Sequence, residues 1–76
     1  MVKVKLLGPL KTLLGKDTLI FDEEMSLSSL MKNLEGFMDR RDFLVLVNGI
    51  EMSVIGEDKW LKKDDEVVLV PVVHGG

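Results

Sequence analysis

Only one stretch of this chain can form a long amphipathic helix, and it has more sheet to serve than it can cover. Leu27, Leu30, Met31 and Leu34 recur at i, i+3, i+4 and i+7, which makes one apolar stripe. Two other stretches, Phe43-Leu44-Val45-Leu46-Val47 and Val67-Val68-Leu69-Val70-Pro71-Val72-Val73, are apolar without alternation. Strands of that kind read as covered on both faces. One helix of about three turns covers a single face. Apolar surface is therefore expected to stay open on the opposite face, and such a patch marks a partner site. The competing reading is that the stems of Lys3 and Lys5 lie over it.

The remaining segments fit the same plan. Val2-Lys3-Val4-Lys5-Leu6-Leu7 alternates with period two and predicts a first strand with one buried face. Gly8-Pro9 stops it. Leu10, Leu13 and Leu14 have helical spacing, so a turn of helix fits before Gly15. Thr18-Leu19-Ile20-Phe21 predicts a second strand, antiparallel to the first. Ser26 is placed to cap the helix, with Met25 and Leu30 as a hydrophobic staple and Gly36 as a stop. Asp39-Arg40-Arg41-Asp42 reads as a solvated turn. Asn48-Gly49 predicts a tight turn into Ile50-Glu51-Met52. Residues 53 to 66 are mixed, and Trp60 is expected to sit partly in the core under a loop. Pro71 should mark the end of regular pairing or an irregular step. The fold class is α+β, a mixed sheet of four to five strands with one main helix packed on one face. Residues 1–73 are expected to form the domain and residues 74–76 a flexible tail.

The same residues exclude most chemistry. With no cysteine in 76 residues there is no disulfide framework, thiolate zinc site or thiol nucleophile. A single histidine, His74, cannot supply a histidine-based metal site, so no metal is expected. Gly8 and Gly15-Lys16 lie too far apart for a phosphate-binding loop, and Asp17 stands where its hydroxyl belongs. The acidic clusters at 22–24, 57–58 and 64–66 lack calcium-loop spacing and read as solvated faces. Ser26, Ser28, Ser29 and Ser53 have no base and orienter for a triad. Ten basic against 13 acidic residues, a net charge of −3, disfavour nucleic acid as a partner. No apolar run reaches membrane-spanning length, and Pro9 and Lys11 break the only stretch resembling a signal peptide. A cytoplasmic protein without a membrane partner is the expectation.

What remains is the end of the chain. Gly75-Gly76 follows an apolar strand through Val72, Val73 and His74. Two glycines have no side-chain chemistry, yet they let an extended backbone enter a narrow channel, and they present a carboxylate. A frayed end is the bland alternative. A carboxylate becomes an acyl donor only after activation, for instance as an anhydride with AMP, and that chemistry has to come from another protein.

Three pieces of the chain resemble one known family. They are Leu44-Val45-Leu46-Val47-Asn48-Gly49, then Trp60-Leu61-Lys62-Lys63-Asp64-Asp65-Glu66-Val67, then Val70-Pro71-Val72-Val73-His74-Gly75-Gly76. In this order they resemble the sulfur carriers of ubiquitin-like β-grasp fold, among them the thiamine-pathway carrier and the small subunit of molybdopterin synthase. The start, Val2 to Leu7 leading into Leu10 to Gly15, resembles the synthase subunit in particular. Asp64 or Asp65 stands where the family usually has a glycine before the last strand, and Val72-Val73-His74 departs from that subunit's usual tail.

The resemblance implies a cycle. An adenylating activating enzyme uses ATP on Gly76, a sulfur donor converts the adenylate to a thiocarboxylate, and the tail delivers sulfur in molybdopterin biosynthesis inside the large subunit of the synthase. Gly75 is then a steric requirement, and Val72, Val73 and His74 contact the partner. No cofactor is bound by the chain itself, and partner contacts fall on the tail and on the sheet face opposite the helix. Other readings stay open: a carrier for thiamine or tRNA thiolation, a modifier conjugated to lysines, or a β-grasp binding module with an inert tail.

Overall fold

The computed structural model describes residues 1–39, 42–52 and 58–72. The chain forms β1 (Val2–Leu6), α1 (Pro9–Leu14), β2 (Thr18–Phe21), β3 (Met25–Ser26), α2 (Leu27–Leu34), β4 (Phe43–Val47), β5 (Ile50–Glu51), β6 (Trp60–Leu61) and β7 (Glu66–Pro71). Five strands make a mixed sheet in the order β2-β1-β7-β4-β5. β1 and β7 are parallel, with Val4 opposite Val67 and Leu6 opposite Leu69, and the other neighbours are antiparallel. β7 thus lies at the centre, which explains its continuous apolar sequence.

The helical stripe packs as its spacing predicts. Leu27, Leu30, Met31 and Leu34 are all buried, and they join Val2, Val4, Leu6, Val45, Val47, Val67 and Leu69 in one core on one side of the sheet. Ser26 caps α2: it is extended (φ −73°, ψ 154°), and its Oγ accepts the Ser29 N–H at 3.2 Å. Met25 packs on the same core as Leu30. The Asn48-Gly49 turn has φ of 50° and 83°, the left-handed pair that a two-residue hairpin between Val47 and Ile50 requires.

Four expectations change. α2 is eight residues long and ends at Leu34 with Glu35 as its cap, and Gly36 is not among the residues at positive φ. The connection after β1 is a full six-residue helix, with Pro9 in its first turn where no N–H is needed. Two-residue strands β3 and β6 pair, Met25 with Leu61 and Ser26 with Trp60, in a second small sheet. Trp60 is 55% exposed rather than in the core, because Leu61 beside it takes the inward position. The boundary between domain and tail, set at residue 73, lies outside the described residues, as do residues 53–57.

The turn before β7 is held by one carboxylate. Asp65 Oδ2 accepts the Lys62 N–H at 2.7 Å, and Oδ1 accepts from Asn48 Nδ2 at 2.9 Å. Asn48 Oδ1 in turn accepts the Glu66 N–H at 3.0 Å. The donated bonds from Lys62, then Asn48, hold the Asp65 carboxyl below its ordinary value of 3.8. Its folded value is therefore depressed. The stability it confers is complete above 3.8 and is lost as pH falls through the folded value. Asp65→Ala should cost about 1 kcal/mol in urea unfolding at neutral pH, a modest figure because the carboxylate is solvated. The difference from the parent should close as the pH is lowered below 3.8.

Candidate functional site

The sheet face opposite α2 follows from register, because directly paired residues share a face. Lys3 pairs with Ile20, Lys5 with Val68, Leu46 with both Val68 and Glu51, and Leu44 with Val70. None of these residues belongs to the core. The centre of this face is Leu44, Leu46, Val68 and Val70. Leu44 is 41% exposed and the other three are half-buried. Lys3 and Lys5 flank the patch on the β1 side only, and the exposed Leu44 lies on β4, beyond β7. Glu51 and Glu66 lie on the same face. The apolar surplus expected from the strand sequences is present, and no described element covers it.

The patch runs towards the chain terminus. The Val72 N–H donates to the Asp42 carbonyl at 2.8 Å, and Phe43 pairs with Pro71. Alternation along β7 then places Val72 on the same side as Val68 and Val70. Of the tail residues singled out from sequence, Val72 is therefore brought together with the open face. Val73, His74, Gly75 and Gly76 lie outside the described residues.

Pro71 sits where its missing N–H costs nothing. The N–H and C=O of Val72 and Val70 point to β4, so those of Pro71 point to the β1 side. The last β1 pair is Leu6 with Leu69, so that edge has no strand at Pro71. Pairing ends there on one side and continues on the other, the irregular step expected of this proline.

A second feature escaped the sequence. Pro9, Leu13, Phe37, Met38 and Phe43 line an open groove of about 580 Å³ beside the tail root. Leu13 is 64% and Phe37 53% exposed. Leu13 shares helical spacing with Leu10 and Leu14, but α1 buries only Leu10 fully. That asymmetry arises from where α1 docks, which its sequence does not state.

At the far end of the sheet, Asp58 closes the start of α2. Its Oδ1 accepts the Ser28 N–H at 3.0 Å and its Oδ2 accepts the Ser28 Oγ–H at 2.7 Å. These bonds hold its carboxyl below the ordinary 3.8. The arrangement satisfies helix-end donors. Among the described residues no group of three His, Cys, Asp or Glu could hold a metal ion, and no helix is long and apolar enough to cross a membrane.

Comparison with known proteins bears on the whole chain. Residues 4–76 match the ThiS family model. No curated protein sequence matches. Among solved structures, the chain is similar to Urm1 from Trypanosoma brucei, with a TM-score of 0.73 at 23% identity, covering 99% of this chain and 94% of that one. It is similar to SAMP1 from Haloferax volcanii (TM-score 0.67, 26% identity, 99% and 98% covered). It is also similar to a chain of the complex of subunits 1 and 2 of molybdopterin-converting factor from Helicobacter pylori 26695 (TM-score 0.66, 21% identity, 99% and 97% covered). These neighbours are ubiquitin-like β-grasp proteins, and the five-stranded sheet and helix α2 have that fold.

Proposed function

The chain belongs to the ThiS family of ubiquitin-like sulfur carriers, and on that premise we propose that it carries sulfur on Gly76 as the small subunit of molybdopterin synthase, acting in the cytoplasm. The observation that carries the reading is the family match running through Gly76, joined to an uncovered apolar face that leads to the tail root. The similarity to a chain of the molybdopterin-converting factor complex supports a larger subunit as partner.

In the proposed cycle the Gly76 carboxylate attacks the α-phosphorus of ATP on an activating enzyme, and pyrophosphate leaves. Hydrosulfide released by the sulfur donor then attacks the acyl carbon, AMP leaves, and loss of the S–H proton gives the thiocarboxylate. On the large subunit the thiocarboxylate sulfur attacks a carbon of the pterin precursor and displaces an oxygen leaving group. Water then cleaves the resulting thioester, which leaves the sulfur on the pterin and restores the Gly76 carboxylate. This chain contributes a grip and a reach. Leu44, Leu46, Val68 and Val70 hold the partner, while Val73 and His74 traverse its channel and Gly75 fits the narrowest part. Burying the apolar patch contributes about 25 cal/mol for each Å² removed from water.

Intact-mass spectrometry tests the reading. With ATP, a cognate activating enzyme and a sulfur source, the protein should gain the mass of one oxygen replaced by sulfur. An unchanged mass beside an enzyme that forms the adenylate would refute it. Affinity purification from cells then separates pathways. One stable large-subunit partner supports the synthase, whereas a ladder of lysine conjugates supports a protein modifier.

A further inference from the structure

We infer that Gly8 is a positioning residue for the tail root: its bare Cα lets the Pro71 ring seat against the start of α1, and that contact fixes the direction of the chain at Val72. Gly8 has φ 60° and ψ −132°, the mirror of the extended region, which L side chains rarely adopt. A Cβ at that position would stand 3.0 Å from Pro71 Cγ, 3.8 Å from its Cβ and 3.9 Å from its Cδ. A proline ring cannot swing aside as a flexible side chain would, because it is closed onto its own backbone. Only a change of ring pucker, which moves Cγ, or a shift of the Pro71 backbone would relieve the contact, and either alters how the ring seats.

What moves with it is the last fixed point of the chain. On the β4 side, Phe43 pairs with Pro71 and Val72 N–H reaches the Asp42 carbonyl at 2.8 Å. On the β1 side the pairing ended at Leu69, and Pro71 has no N–H to donate there. The Gly8 main chain fills that place by contact. Gly8 is itself held, because its carbonyl accepts the Lys11 N–H at 3.1 Å and the Thr12 N–H at 3.4 Å. Residues 71 and 72 are thus gripped from both sides, by packing on one and by hydrogen bonding on the other. A tail that must enter a channel depends on the angle at its root.

The test uses the full chain, made by total synthesis, with Gly8→Ala in L and D forms and with Pro71→Ala. A D residue adopts positive φ without strain and carries no L-type Cβ toward Pro71, so it relieves backbone strain and contact together. The Pro71→Ala background keeps the strain of the L form and removes the contact, and so separates the two. The L form should lower kcat for adenylation, read by ATP–pyrophosphate exchange with a cognate activating enzyme, by about tenfold to a hundredfold. KM should change by less than about twofold, since the partner-gripping face is untouched. The D form should behave as the parent. In the Pro71→Ala background, the L form should add no further loss. A D form as impaired as the L form, or an L form with the parent's kcat, would overturn the inference.

The kinetic arm rests on the sulfur-carrier reading, and a second arm does not. Amide exchange at Val72, followed by NMR, should accelerate at least about tenfold in the L form while Leu69 keeps its protection. Pro71→Ala, which places no strain at position 8, should also accelerate Val72. Parent-like exchange at Val72 in both variants refutes the clamp whatever the enzyme assay shows. Failure of the parent chain to be adenylated refutes the carrier reading and leaves the exchange result to decide this one.

Discussion

Removing Gly76 should abolish thiocarboxylate formation and leave the fold as it was. The shortened chain still ends in a glycine carboxylate, so the chemical group is not lost. Its position is. One residue of extended backbone spans about 3.3–3.6 Å, and a displacement of about 1 Å in an active site can cost about 100-fold. A shift of a whole residue therefore predicts a loss of more than about 1,000-fold in adenylation, below detection in most assays. Stability should hold, because every described core residue lies at or before Leu69. Changes remote from a core stay within about 0.5 kcal/mol, which for a domain of this size shifts the melting temperature by about 2–4 °C at most. The measurement is paired: pyrophosphate exchange with the activating enzyme, and thermal unfolding by circular dichroism. Retained adenylation would remove Gly76 from the mechanism. Lost adenylation with a large fall in melting temperature would show that the residue is structural.

The sequence made some of this plan visible and hid the rest, and the division has a physical basis. Periodic signals report which side of an element is buried. Leu27, Leu30, Met31 and Leu34 all face the core as their spacing requires, and so do Val2, Val4 and Leu6. The absence of alternation in β4 and β7 is equally informative, because it implies a second apolar face from the residue pattern alone. Features made by long-range juxtaposition gave no local signal. Two-residue strands such as β3 and β6 exist only because Met25 meets Leu61 across more than thirty residues of chain. The exposure of Trp60 follows from that pairing, which no local pattern announces. The parallel pairing of β1 with β7 likewise depends on chain topology. Gly8 read as a strand stop, which it is. Its contact with Pro71 is invisible without the sheet, since it arises where β1 ends and β7 continues. Asp64 shows a partial case: a family glycine was missing at Asp64 or Asp65, and the fold assigns the left-handed position to Asp64, at φ 72°. The tail chemistry proposed for Gly76 rests on elimination and on the family resemblance, and no described residue bears on it.

The open face predicts the second large effect, and neighbouring residues of one strand make the test internally controlled. Leu44→Arg and Val70→Arg each place a charge on the face opposite α2. Leu44 is 41% exposed and Val70 half-buried, so both charges can reach water, and the long arginine stem retains some apolar cover. Unfolding free energy should change by less than about 1 kcal/mol for Leu44→Arg. A charge at the centre of a docked apolar patch is costly, and central interface residues typically account for about 2–4 kcal/mol each. Affinity for the large subunit should fall by about 30- to 1,000-fold. Val45→Arg shifts the same change by one residue and must give the opposite result. Val45 is 5% exposed and faces the helix, so an unpaired charge there should leave the domain unfolded. Titration calorimetry with the large subunit and urea unfolding of the free chain measure the two quantities. If Leu44→Arg and Val70→Arg bind as the parent does, the apolar face is not the grip and the tail alone would have to carry recognition. Residues 73–76 are too few to bury the area that a stable interface needs without the face. The face and the tail are therefore expected to act together, the first holding the partner long enough for the second to reach its chemistry.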